Sequence, residues 1–109
     1  MTQVAFHTEG SRIVGFEVSG HSGYASEGED IVCAAITSAV RLTECTINDV
    51  LGLEASGKVR EKDASITLRL PAALGQTNES TCQALLTGLM VHFVQLAEEY
   101  PEFISVLEV

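Results

Sequence analysis

The stretch DIVCAAITSAVRLTECTINDVL, residues 30–51, decides the fold. Its apolar residues are too continuous for a surface helix, and Ala34, Ala35 and Ala39 are strong helix formers, so it reads as a long, largely buried helix from Ile31 to about Leu51. Asp30 is placed to cap its start, where a carboxylate accepts from backbone N–H groups two or three residues on and suits the positive end of the helix dipole. Gly52 is placed to end it.

A helix this apolar must be covered, and the segments on either side have strand character. Val4 to Thr8 and Arg12 to Val18 are β-branched and aromatic runs separated by Glu9, Gly10 and Ser11, a hairpin with a three-residue loop. Gly57 to Arg60 and Ala64 to Leu70 form a second hairpin about Lys62 and Asp63, with Ile66, Leu68 and Leu70 inward against Thr67 and Arg69. Ser80 and Gln83 match a capping box. The stripe of Leu85, Leu86, Leu89, Met90, Phe93, Val94 and Ala97 then marks a second helix running to Tyr100 and Pro101. Phe103 to Val109 is a final strand. The expected fold class is α+β, in two layers: a mixed, mostly antiparallel sheet with two helices on one face, in the order ββαββαβ.

At 109 residues the chain fits one domain, residues 1–109, and its 46% hydrophobic content argues against disorder. No apolar run approaches the ~20 residues of a membrane span, and MTQVAFHTEG lacks the pattern of a secretory signal, so the expected location is the cytoplasm. Fifteen acidic residues against six basic ones give a formal net charge of −9, which would repel a phosphate backbone and argues against a nucleic-acid binder. Three cysteines, Cys33, Cys45 and Cys82, make no CxxC pair and suit neither a disulfide framework nor a zinc-ligand spacing. Neither metal nor organic cofactor is expected.

The stretch from Ser19 to Glu29, SGHSGYASEGE, holds three glycines, three serines and a histidine, and reads as a loop. Cys33 falls in the first turn of the helix that follows, where unpaired N–H groups and the dipole favour a thiolate and offer donors to an oxyanion. Eleven residues lie between it and His21, few enough for the loop to fold back and bring the imidazole to the sulfur. Gly20 and Gly23 flank that histidine and allow either a special backbone conformation or a hinge that closes on substrate. Taken alone, such a cysteine amid Ile31, Val32, Ala34 and Ala35 is more often core than catalytic.

The whole run GHSGYASEGEDIVCAAITS, Gly20 to Ser38, is more specific than a lone Cys and His. It resembles the signature of the bacterial ribosomal-processing cysteine protease family, and the similarity extends along nearly the full chain, through the final EEYPEFISV. The resemblance implies a cysteine endopeptidase that removes the N-terminal extension of a large-subunit ribosomal protein. It assigns Cys33 as nucleophile and His21 as general base. Asp30 matches the family aspartate, first as helix cap and second as imidazole orienter. Gly20, Ser22, Gly23 and Tyr24 become a substrate loop. A homodimer and an apolar groove for the peptide are also implied.

The remaining features have plainer readings. Cys45 and Cys82 lie in apolar helical patterns and read as core, and His7 and His92 as surface or structural histidines. Gly88 within the second helix suggests that another backbone or helix passes close by. Two rival functions remain: a non-catalytic ribosome-assembly or peptide-binding protein, and a thiol sensor. In the second, Cys45 is three turns further along the helix, ~18 Å away, too far to resolve an oxidised Cys33.

Overall fold

The computed structural model describes residues 1–20, 27–60 and 65–109, without the side chains of residues 27–29 and 60. Five strands and two helices follow in the expected order: β1 (Thr2–Glu9), β2 (Arg12–Ser19), α1 (Glu27–Cys45), β3 (Ser56–Arg60), β4 (Ser65–Arg69), α2 (Gln76–Glu99) and β5 (Ile104–Glu108). The sheet order is β3-β4-β2-β1-β5. Every pairing is antiparallel except β1 with β5, so the sheet is mixed.

Side-chain alternation in the strands places the core. Val4 and Phe6 of β1, Phe16 and Val18 of β2, Leu68 of β4 and Ile104 of β5 are buried with Val32, Ile36 and Val40 of α1 and with Cys82, Leu86, Leu89 and Phe93 of α2. Both helices therefore cover one face. Phe6 is at the centre, its ring centroid 5.8 Å from that of Phe16 and 6.3 Å from that of Phe93. Each such ring contributes roughly 1.5–3 kcal/mol through burial. By length and hydropathy α2 would pass for a membrane span, but its buried residues are spent on this core.

The alternation of β2 breaks at Ile13, Val14, Gly15 and Phe16, four buried residues in a row. The cause is a bulge: His7 pairs with Gly15 but Thr8 pairs with Ile13, leaving Val14 as the extra residue. The carbonyl of Val14 accepts the N–H of Leu70 at 2.9 Å. Gly15 fits because a Cβ there would stand 2.2 Å from the Leu68 carbonyl oxygen on β4. Since Glu9 pairs with Arg12, the hairpin loop is two residues, Gly10 and Ser11, and not the expected three; Gly10 takes φ +62°.

Two other expectations are corrected. The capping box of Ser80 and Gln83 is not formed, because α2 begins at Gln76, a turn earlier. Gln83 instead clamps β2, accepting the N–H of Ile13 and donating to its carbonyl, both at 2.8 Å. That long-range partner outcompetes the local one. Gly88 is exposed, with nothing among the described residues within 4 Å of where its Cβ would be, so no described backbone or helix comes that close. Lys62 and Asp63 lie outside the described residues. At the end of α1 the chain widens into hydrogen bonds five residues apart over Thr46–Val50, Leu51 N–H donating to the Thr46 carbonyl. Gly52 then leaves the helix at φ +70°, as its position suggested.

Candidate active site

The helix that carries Cys33 starts at Glu27, so Asp30 is its fourth residue and Cys33 its seventh. This corrects the expectation that Asp30 caps the helix and that Cys33 is in the first turn. The helix thus extends back into the stretch read as loop, and the Asp30 carboxylate suits the positive end of its dipole. The sulfur is carried on a residue ~9 Å from the helix start, inside the regular ladder, where the backbone N–H is already bonded and the terminal dipole has faded. First-turn donors are thus removed as an oxyanion site for Cys33. Asp30, one turn before the cysteine, is exposed.

Among the described residues, Thr2 brings a side chain from elsewhere in the fold to Cys33. It opens β1, is 0% exposed, and shares the core-facing parity of Val4 and Phe6. Its N–H donates to the Phe103 carbonyl at 2.8 Å and it pairs with Ile104, tying it to β5. Its hydroxyl is 3.8 Å from Cys33 Sγ, a hydrogen-bond distance for sulfur in which either atom can donate. Sequence reasoning missed this residue. The one available signal was a polar side chain on the inward parity of a strand.

Gly20 closes on the same point from the end of β2. It takes φ +91°, and a Cβ on it would lie 2.5 Å from the Met1 carbonyl oxygen and 3.6 Å from Thr2 Cα. Only glycine gives both the conformation and the approach. The structure therefore brings together Cys33, Thr2 and Gly20; His21, Ser22, Gly23 and Tyr24 lie outside the described residues.

The three cysteines differ in setting. Cys33 is half-buried, Cys82 is buried, and Cys45 is exposed, its Sγ 3.3 Å from the Leu42 carbonyl. The core reading thus holds for Cys82 and fails for Cys45, which is on the outer side of the last turn of α1. Burial pushes the Cys82 thiol up from its ordinary value, with the negative charge of Glu79 adding to the effect. His7 and His92 are both exposed. Among the described residues no three His, Cys, Asp or Glu side chains gather as a metal site.

An apolar groove of about 630 Å³ runs between α1 and α2 and is lined by Ala35, Ala39, Leu42, Leu85, Leu89 and their neighbours. Cys33 does not line it. At 3.6 residues per turn Leu42 points about 180° away from Cys33 around the helix, so groove and sulfur are on opposite sides of α1.

Cys33 thus presents a half-buried thiol beside a buried hydroxyl, on a helix packed over a mixed sheet. The chain belongs to the family described as cysteine protease Prp, whose model matches residues 1–105. The ribosomal processing cysteine protease Prp of Bacillus subtilis is 26% identical over 94 residues, covering 86% of this chain and 84% of the relative. That of Mycoplasma pneumoniae is 32% identical over 90 residues, covering 80% and 79%. Among solved structures, the essential ribosomal processing protease Prp from S. aureus in complex with a substrate peptide superposes with a TM-score of 0.86 at 19% identity, covering all of both chains. A Streptococcus mutans protein gives 0.87 at 24% identity, covering 100% of this chain and 94% of the other. These two likenesses establish the fold.

Proposed function

We propose that this protease cuts the N-terminal extension from a large-subunit ribosomal protein, with Cys33 as nucleophile and His21 as general base. The observation that carries the reading is convergence on Thr2: the sulfur of Cys33 is 3.8 Å from its hydroxyl, and Gly20, the residue before His21, packs against Met1 and Thr2. The strand end that precedes His21 in sequence and the helix that carries the thiol both approach Thr2, which supports this reading.

His21 takes the proton from Cys33, and the thiolate attacks the scissile carbonyl carbon to form a tetrahedral intermediate. The C–N bond then breaks as the imidazolium passes its proton to the leaving amine, leaving a thioester on Cys33. Water, deprotonated by His21, attacks the thioester, releasing the carboxylate and restoring the thiol. Asp30, one turn from Cys33, orients the imidazole. Gly20, Ser22, Gly23 and Tyr24 line the peptide as it binds. The S. aureus neighbour is in complex with a substrate peptide, which supports a peptide ligand here. A net charge of −9 favours a neutral or basic polypeptide over nucleic acid. The protein works in the cytoplasm as a homodimer.

The test is cleavage of a peptide spanning the extension of the host's own ribosomal protein, followed by mass spectrometry with wild type, Cys33→Ala and His21→Ala. Wild type is expected to cut one bond. The Cys33→Ala protein should have no activity, and His21→Ala should lose at least about a hundredfold. Binding without cutting by wild type would refute the reading and favour a peptide-binding module.

A further inference from the structure

Thr2 is a buried polar residue at the sulfur that the proposed mechanism uses, and no part of the dyad chemistry accounts for it. Its methyl group would be served as well by valine, which is better suited to a strand and leaves no hydroxyl to satisfy. The hydroxyl has Cys33 Sγ at 3.8 Å. The backbone around it is fixed on two sides, by the 2.8 Å hydrogen bond to Phe103 and by the ladder to Ile104. Gly20 closes the third side, its backbone set against Met1 and Thr2 at φ +91°.

We infer that Thr2 is a positioning residue for the nucleophile, its hydroxyl fixing the Cys33 sulfur and donating to it once the thiol has lost its proton. This rests on the proposed role of Cys33. While the sulfur carries a proton either atom can donate, but a thiolate only accepts, so the hydroxyl then becomes the donor and the bond strengthens as a charge-assisted one. The donor sits on β1 and not on the loop around His21, so its position is set by the sheet. Other interactions of Cys33 leave this assignment unchanged, because it predicts the effect of removing one hydroxyl.

The test uses the full chain with Cys45→Ser, which silences the exposed thiol, and measures iodoacetamide alkylation of Cys33 at one neutral pH, with peptide mass mapping. Thr2→Val keeps the shape and removes the hydroxyl; Thr2→Ser keeps the hydroxyl and removes the methyl. The expected result is a rate about five- to tenfold lower in Thr2→Val, with Thr2→Ser within about twofold of the parent. The thiolate absorbance in the ultraviolet should fall in Thr2→Val alone. On the extension peptide, Thr2→Val should lower kcat and leave KM in place. Equal rates in all three proteins would overturn the inference, as would a loss in Thr2→Ser as large as in Thr2→Ala, the variant that decides if Thr2→Val does not fold. Alkylation does not require a substrate, so a normal Thr2 effect with no peptide cleavage would count against the protease reading and not against this one.

Discussion

At the scale of single residues, three thiols in one small chain are separated by where their Cβ atoms point. Cys82 is on the inner face of α2, and its raised thiol value is a stability statement. The neutral form is favoured by the fold, so this contribution is fully present below the ordinary value of 9.0 and is lost as pH rises through the higher folded value. Urea unfolding followed from neutral to alkaline pH should show a loss of stability above about 9 that Cys82→Ala lacks. Identical pH profiles would show that burial of Cys82 does not couple to folding. The sequence pattern placed Cys82 in the core but also Cys45, because an apolar run does not reveal which side of a helix end meets a neighbour. Thr2 was hidden for the converse reason: a polar residue ahead of a strand looks like an exposed end, and only the pairing with β5 buries it.

At the scale of elements, hydrophobic periodicity located both hairpins, both helices and the last strand, since their inward positions follow the periods of 2 and 3.6. It did not locate their edges. Local capping signals at Asp30 and Ser80 were plausible, yet α1 and α2 each begin three or four residues earlier, and Gln83 is drawn to the backbone of Ile13. The bulge at Val14 was equally out of reach, because it depends on the neighbouring β4 taking the spare carbonyl. Gly88 tests the helix argument cleanly. With open space around its Cβ position and an exposed site on α2, Gly88→Ala should gain about 0.5–1 kcal/mol of stability in urea unfolding. A loss instead would mean that the groove between the helices closes on that residue.

At the scale of the whole molecule, the topology makes the site. β1 is the second strand from the edge, paired antiparallel with β2 and parallel with β5, so its first residues are held on both sides. β2 ends beside them at Gly20, and α1 crosses the same end of the sheet with Cys33 turned toward Thr2. Residues distant in sequence are thereby gathered where the signature run begins and where its cysteine lies. The family was legible from the run Gly20 to Ser38, while the convergence of β1, β2 and α1 on Thr2 was not, since it depends on a parallel pairing between the first strand and the last. The groove between α1 and α2 is on the far side of that helix from the sulfur, which separates this apolar groove from Cys33.

The central claim, that Cys33 forms a covalent intermediate with the peptide it cuts, is tested most directly by rapid acid quench of wild-type protein with the extension peptide and intact-mass measurement. A transient adduct with the mass of the N-terminal fragment, mapped to Cys33 and absent in Cys33→Ala, is the predicted result. Cleavage with no adduct at any time, or an adduct mapped to Cys45, would contradict it.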